Sequence, residues 1–333
     1  MRLRGIDFGP VWGASGVQGF FSGDEYFSHR WLRRLRLLDM KGMTFVAKTM
    51  TLYEQKGNMP RGKDLVSPRE ILPRCIAPSL WRAEALNAVG LSGPGAPFLL
   101  ERGVWQKRKE PFFLSFMSIR QERDERLAEL NSFVDVLASH LPAFQAPAGL
   151  QINFSCPNAP AHHGDQMELV TEVRQSLQIA GRLGIPLVPK LNVLVEPAAG
   201  LEMAQHPECD ALCVSNTIPF GALADKIDWA PWLKAGKSPL ERRGFGPGGL
   251  SGTQVYPLAF QWGCTFRSLP GGDEVRLNLG GGINGVREAV NLFALAPQAD
   301  SIMVGSVAFL RSWRVRGIIR AAHAAAREQG RNK

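Results

Sequence analysis

Residues 153–158 read Asn-Phe-Ser-Cys-Pro-Asn and directly follow the apolar run Leu150-Gln151-Ile152. A thiol therefore stands at the end of a predicted strand, between two amides, with a proline after it that stops regular structure. A cysteine can serve as base or nucleophile, and an asparagine can hold a polar, planar ligand without adding charge. A strand end with a core cysteine and two turn-forming asparagines has the same six letters. The remaining strand ends weigh between the two. Lys48 closes a second apolar run, Lys190 a fifth and Asn216-Thr217 a sixth, and glycine turns follow the last two at Gly281-Gly282 and Gly305-Ser306. One lysine at a strand end is an ordinary solvated charge. Two lysines, several amides and two glycine turns at equivalent ends point to one shared site.

The elements that must position these residues alternate regularly. Strand-like runs end at Ala14-Ser15-Gly16 and occupy 44–48, 112–117, 151–156, 187–191, 211–216, 276–280 and 301–305. Helix-length amphipathic runs fall near 29–39, 68–77, 121–140, 166–183, 196–205, 254–267, 285–295 and 307–328. Eight β–α alternations predict a single (β/α)8 TIM barrel over residues 1–333, with a doubly wound sheet as the alternative. In such a barrel the site lies at the carboxyl ends of the strands, where the polar residues fall. Residues 52–110 and 218–248 exceed simple connections and read as excursions from the barrel, between the second and third and the sixth and seventh strands.

Gly280-Gly281-Gly282-Ile283-Asn284-Gly285 follows a strand and opens a helix, as does Gly305-Ser306. Backbone N–H groups at such starts favour a dianion, and the last two loops of this fold are its usual phosphate site. Gly248-Gly249-Leu250-Ser251-Gly252 reads as a third flexible segment before a helix. A phosphorylated cofactor or substrate at the barrel rim is the expectation.

Composition narrows the classes further. The chain has 333 residues, 45% of them apolar and 21% charged, enough for a large core and too apolar for wholesale disorder. Its formal charge is +9, yet no aromatic-interleaved basic motif or zinc-finger spacing accompanies it, which disfavours nucleic acid. The basic runs at 30–36 and 311–333 read as solvated helix faces rather than membrane contacts. The cysteines are Cys75, Cys156, Cys209, Cys213 and Cys264. Their odd number and the lack of a CxxC pair fit a reducing cytoplasm, with no disulfide framework and no cysteine-built metal site. No apolar run is long enough for a bilayer span and no targeting segment is visible.

Taken in order, Ala14-Ser15-Gly16, Lys48-Thr49-Met50-Thr51, Gly57-Asn58, Asn87-Ala88-Val89-Gly90-Leu91, Asn153–Asn158, Lys190-Leu191, Asn216-Thr217, Gly248–Gly252, Gly280–Ile283 and Gly305-Ser306 resemble the dihydroorotate dehydrogenases. The resemblance runs from about residue 13 to 310. It implies an FMN enzyme of pyrimidine synthesis that oxidises dihydroorotate to orotate. Cys156 matches the catalytic base of the soluble class 1 members; the membrane-associated class 2 has serine there. Lys48, Asn87, Val89, Gly90, Leu91, Asn153, Asn158, Asn216 and Thr217 match substrate-holding positions. Ala14, Ser15, Gly16, Lys48, Thr49, Asn153, Lys190, Ser215, Gly252, Gly281, Gly282, Gly305 and Ser306 match the FMN site, Lys190 at the flavin N1/O2 edge.

Asparagine amides suit a ring with several amide-like edges, and Lys48 supplies charge for its carboxylate. The resemblance leaves fumarate or a flavin and iron–sulfur partner subunit as electron acceptor, argues against membrane association, and implies a homodimer. Another dihydropyrimidine as substrate, or a non-redox phosphate-binding barrel, are the competing readings. Gly13 replaces a common asparagine, residues 57–61 shorten a longer family pattern, and 64–84 and 222–246 match no subgroup. Residues 159–164 are expected to form a lid, with His162 and His163 as loop residues without a role.

Overall fold

The computed structural model describes residues 1–154, 166–294 and 300–331. Seven parallel strands form one sheet: β1 Val11–Gly13, β2 Phe112–Phe116, β3 Ala148–Asn153, β4 Leu187–Leu191, β5 Leu212–Val214, β6 Leu277–Gly280 and β7 Ser301–Val304. Their order across the sheet is β1-β7-β6-β5-β4-β3-β2. Every residue of these strands is buried, as expected for a parallel sheet covered on both faces.

The ring is closed by residues 44–50, the second strand position. This stretch forms no continuous strand, contrary to the expectation for 44–48. It makes isolated parallel bridges instead, Trp12 to Thr44 on one side and Val46 to Phe113 and Met50 to Phe116 on the other. Its backbone still pairs with both edges of the sheet: Thr44 N–H donates to Val11 O (2.8 Å), Ala47 N–H to Phe113 O (2.9 Å) and Met50 N–H to Ser115 O (2.9 Å). Closure removes the two sheet edges that would otherwise stand unpaired.

Side chains of successive strand residues face opposite sides. Trp12, Val46, Phe113, Val188, Ala211, Cys213 and Met303 pack with Leu3 and Phe8 as one buried cluster, an apolar plug inside the ring. Leu3 and Phe8 come from the hairpin Arg2–Leu3/Ile6–Asp7 and the residue after it. The larger core lies outside the ring, where strand residues such as Val11, Leu114, Leu150 and Val214 meet the surrounding helices. These are α1 Phe27–Arg34, α2 Ala96–Glu101, α3 Arg123–His140, α4 Gln166–Gly181, α5 Pro197–Ala204, α6 Val255–Ser268, α7 Val286–Ala294, α8 Val307–Leu310 and α9 Val315–Arg331.

Two expectations for helices fail. The helix at 68–77 is absent: Pro68 and Pro73 each lack a donor, and Ile76–Ser79 is a strand that draws its hydrogen bonds from Glu84–Asn87. The helix at 307–328 breaks after Leu310 into a short 3₁₀ turn, Ser312–Arg314, before α9. The N-terminal helix is also shorter than 29–39, stopping at Arg34 with Arg36 at φ 59°.

The two excursions pair with each other. Ile218–Pro219, Gly249–Gly252, Glu84–Asn87 and Ile76–Ser79 form a four-stranded antiparallel sheet in that order. Gly249–Gly252 is thus a strand, not the flexible segment the glycines suggested. Leu86, Ile218, Trp229, Trp232, Leu240 and Leu250 make a buried cluster on this sheet. Gly252 locks it to the barrel: at φ 115° an added Cβ would lie 2.2 Å from Ala83 O, and a Cβ on Gly282 would lie 2.5 Å from Gly252 O.

Replacing Gly252 by Ala is therefore expected to destabilise the fold by about 2–5 kcal/mol, left-handed strain and overpacking adding together. Urea unfolding followed by circular dichroism checks this; an unchanged midpoint would contradict the close approach.

Candidate active site

One step along each strand from the apolar plug, on the same face, lies a ring of other residues. Ala14 follows Trp12 by two positions, Lys48 follows Val46, Ser115 follows Phe113, Lys190 follows Val188, Ser215 follows Cys213 and Gly305 follows Met303. Asn153 stands likewise two after Gln151. Period-two alternation carries the inward face from apolar to polar at the carboxyl end. The upper ring remains largely buried, with Lys48 9%, Asn153 6%, Lys190 5% and Ser215 5% exposed.

Three neighbouring strand ends share one amide cluster. Asn153 pairs in register with Lys190 across β3 and β4, and Lys190 with Cys213 across β4 and β5. Asn216 Nδ2 donates to Asn153 Oδ1 (2.9 Å), fixing both amides. The loop after β5 is held by Ser215 N–H to Gly280 O (2.9 Å) and Asn216 N–H to Leu191 O (3.0 Å). Thr217 enters through its backbone: its N–H donates to Asn216 Oδ1 (2.9 Å) and its carbonyl accepts from Asn192 Nδ2 (2.6 Å). Burial pushes the Cys213 thiol up to about 11, opposed by the nearby Lys190 charge, so this cysteine is an inert thiol of the plug.

A hydroxyl chain links the other side of the ring. Ser15 Oγ bonds Thr49 Oγ1 (2.7 Å), which bonds Ser115 Oγ (2.9 Å), while Ser15 Oγ also donates to Ala47 O (3.0 Å). Ala14 N–H donates to Val304 O (2.8 Å), and a Cβ on Gly305 would lie 3.3 Å from the Ala14 methyl. Ala14, Ser15, Thr49 and Gly305 thus come together as the sequence indicated.

Lys48 joins barrel and excursion. Its ammonium donates to Ser92 O and stands 4.8 Å from the centre of the Phe20 ring. Its backbone N–H donates to Gly19 O (2.8 Å). No carboxylate forms an ion pair with it among the described residues. Burial first, and the Arg61 charge second, push its pKa down to about 7, with Cys75 and Glu25 acting in the opposite sense. A buried cation near Arg61 favours an anionic ligand.

The excursion sheet brings Asn87 and residues 89–91 to the same end. Asn87 Nδ2 donates to Gly249 O (3.3 Å), and Asn58 holds the following turn through its N–H to Val89 O (2.9 Å) and its Nδ2 to Ala88 O (2.7 Å). Ser92 Oγ donates to Met59 O (2.7 Å). Gly281 and Gly282 pack against Val255 and Tyr256 at the start of α6, beside Gly252. That is a backbone-lined cradle at a helix start, a chemistry that suits a phosphate. Ser306, directly after Gly305, is the N-cap residue of α8.

Cys156 and Asn158, with the loop histidines His162 and His163 and the expected lid at 159–164, lie outside the described residues. Sequence reasoning missed Asn192, Ser115, Ser92 and Phe20. Asn192 was detectable as the residue two after Lys190, on the same face, and Ser115 as the lone hydroxyl in an aromatic run. Ser92 and Phe20 reach Lys48 only through folding and carry no local signal. No cluster of three or more His, Cys, Asp or Glu able to hold a metal occurs among the described residues.

No protein-family model matches the chain. It is 31% identical over 242 residues to the catalytic subunit of dihydroorotate dehydrogenase B (NAD(+)) of Methanopyrus kandleri, covering 68% of this chain and 67% of that one. The same subunit of Desulforudis audaxviator is 29% identical over 255 residues, 75% of this chain and 68% of that one. That of Desulforamulus reducens is 26% identical over 321 residues, 93% and 87%. Among solved structures, DHODH from Eimeria tenella in complex with ferulenol superposes with a TM-score of 0.64 at 15% identity, covering 99% of this chain and 85% of that one, a likeness of fold.

The Lys48 ammonium is expected to lose its proton near pH 7, whereas surface lysines hold theirs to about pH 10. Arg61→Gln removes a repelling charge and should raise the Lys48 value. A lysine-selective NMR titration of both proteins reads the two values; a Lys48 signal that titrates with the surface lysines would contradict the burial.

Proposed function

The chain belongs to the dihydroorotate dehydrogenase family, and we propose that it oxidises dihydroorotate to orotate with FMN held at the carboxyl end of the barrel. The observation that supports this most directly is the ring of Lys48, Asn153, Lys190 and Ser215 above an apolar plug. It combines a buried cation and amides at one end of a barrel whose last loops form a glycine cradle.

The residues fit FMN. Gly252, Gly281 and Gly282 lie against the start of α6, with Gly305 and Ser306 at the end of β7, and offer backbone to a phosphate. Ala14–Gly16 and the Ser15–Thr49 pair lie where an isoalloxazine ring could be flanked by backbone and hydroxyls. Lys190 places positive charge at the base of the same ring of residues, suited to the polar edge of a flavin. Bound there, FMN supplies the acceptor for the hydride that leaves substrate C6.

The protein's own groups account for binding and proton movement. Lys48 holds the substrate carboxylate through a charge-assisted hydrogen bond, exchanging its present acceptor, Ser92 O, for an anion. Asn153 and Asn216 orient each other and present amide edges to the ring's carbonyl and N–H groups. Asn87 contributes from the excursion sheet, and Asn192 fixes the Thr217 carbonyl so that the loop after β5 keeps its shape. Asn158 completes the amide set and Cys156 removes the C5 proton, the role its motif implies. An analogue without the carboxylate leaves Lys48 buried and without an anion, which favours dihydroorotate over dihydrouracil. The curated relatives are named catalytic subunits, which supports a partner subunit rather than fumarate as the electron acceptor.

Anaerobic addition of dihydroorotate should bleach the flavin absorbance of the purified protein, while Cys156→Ser stays yellow over the same time. A flavin that ignores dihydroorotate moves the substrate to another reduced ring, and a protein that takes up no FMN sinks the redox reading. Lys48→Met should raise the dihydroorotate concentration for half-maximal bleaching by about ten- to a hundredfold. Because the Lys48 pKa lies near 7, its charge is present below that pH and lost above it. Affinity for the carboxylate should therefore be highest below pH 7 and fall above it, by up to about tenfold per pH unit when binding takes up one proton.

A further inference from the structure

Glu25 is buried, 8% exposed, and forms no ion pair among the described residues. Its Oε1 accepts the Phe21 N–H (2.6 Å), and its Oε2 is buried with no hydrogen-bond partner among the described residues. Oε2 packs on Gly19 instead: a Cβ there would lie 2.5 Å from it. The bond to Phe21 runs back into the preceding turn and not forward into α1, whose start has no side-chain cap. A carboxylate desolvated in this way is costly, and helix capping does not explain it.

The turn it grips is the one that meets Lys48. Gly19 O accepts the Lys48 N–H (2.8 Å), and the Phe20 ring lies 4.8 Å from the Lys48 ammonium. Phe20 is buried, and a Cβ on Gly93 would lie 2.9 Å from the tip of its ring. Gly93 follows Ser92, whose carbonyl accepts from the same ammonium. Trp105 Nε1 donates to Phe20 O (2.7 Å) and Arg108 Nη1 to Phe21 O (3.0 Å), which hold the turn from its far side. Glu25 thus contacts the residues before and after Phe20, and Phe20 touches both Lys48 and the neighbour of its acceptor.

We propose, on the reading of Lys48 as the group that holds the substrate carboxylate, that Glu25 is its positioning residue: the Glu25 carboxylate fixes the Gly19–Phe21 turn against the lysine and sets a negative charge behind the ammonium. Burial and Arg61 lower the Lys48 pKa, and Cys75 and Glu25 raise it. Burial pushes the Cys75 thiol up to about 11, so at neutral pH Glu25 is the one of the two that carries charge. Burial raises the Glu25 carboxyl itself, opposed by the N–H groups of its own residue, Phe21, Ser22 and Gly23. The other groups packed on the turn keep one charge where Lys48 titrates. A Cβ on Gly23 would lie 3.2 Å from Arg33 and 3.5 Å from His29. His29 is pushed down to about 4 by burial and the Arg33 charge, and burial pushes Tyr26 up. Arg33, Arg61 and Arg108 carry fixed charges, the first paired with Asp24 and the second with Glu54.

The test compares Glu25→Gln with the unaltered full chain, free of substrate, by NMR titration of Lys48. The substitution should lower the Lys48 midpoint by roughly one pH unit, as the loss of a nearby opposite charge does. Calorimetry of orotate binding to the oxidised, FMN-loaded protein gives a second readout. With that shift, binding should weaken about fivefold at pH 7 and about tenfold at pH 8, and hardly at all at about pH 5, where Lys48 is charged in both proteins. A merely structural loss weakens binding equally at every pH. Glu25→Asp keeps the charge and should keep the Lys48 midpoint close to that of the unaltered protein. The Glu25 carboxyl carbon of the unaltered protein should titrate below Lys48, and Lys48→Met should raise its midpoint, a readout that does not depend on Glu25→Gln folding. A Lys48 midpoint unmoved by Glu25→Gln, a loss of orotate affinity independent of pH, or a Glu25 carboxyl still protonated at pH 7 would each overturn the proposal. A lowered Lys48 midpoint in a protein that binds no orotate would leave the Glu25–Lys48 coupling standing and sink the substrate reading instead.

Discussion

The structure depends on the period-two alternation of strands closed into a ring. One face of each strand must pack outward on helices and the other inward on its neighbours across the barrel. The interior is too narrow for anything but side chains, so the lower positions fill with Trp12, Phe113, Val188 and their neighbours. The next inward positions cannot avoid lying directly on that plug. Lys48, Asn153 and Lys190 are therefore desolvated by the same geometry that places them, and the lowered pKa of Lys48 is one consequence. A buried amide or ammonium is costly unless it is hydrogen-bonded, so this ring is well supplied with internal partners and suited to a polar ligand.

Closure itself rests on the least regular part of the barrel. Residues 44–50 hold both sheet edges through scattered bridges rather than a continuous ladder. That irregularity lets Thr49 turn toward Ser15 and Ser115 while Lys48 reaches Ser92 in the excursion. Barrel and excursion thus meet at a residue proposed to hold the substrate. The second meeting point, Gly252 against Gly282, ties the excursion sheet to the proposed phosphate end. In the proposed function, an excursion anchored at both points fixes the distance between the substrate carboxylate and the cofactor.

The contact between α1 and α8 follows from the same ring. α8 begins just past the end of β7, and Tyr26, at the start of α1, reaches back to Gly16, so Tyr26 and Phe309 are packed close to Gly16 and Gly305. An outside surface is in this way coupled to inside backbone by a short chain of contacts.

Much of the site could be read from sequence because the information is local. Lys48, Asn153, Lys190 and Asn216 each end an apolar run, and strand periodicity alone puts three of them on the inward face. Asn192 shared that signal and went unread; the Cys156 motif is equally local. The failures are all of another kind. Pro68 and Pro73 set against a helix, but only pairing with Glu84–Asn87 made Ile76–Ser79 a strand, and glycines at 248–252 suggested flexibility where a partner strand makes order. Ser92 and Phe20 meet Lys48 from sequence distances of 44 and 28 residues. The sequence by itself determined which faces are apolar and where strands end, since these follow from a residue and its near neighbours. The tertiary structure alone decided which excursion strands pair, what surrounds Lys48 and which surface rings stand together, because hydrogen bonding and burial between distant segments depend on the whole chain being closed.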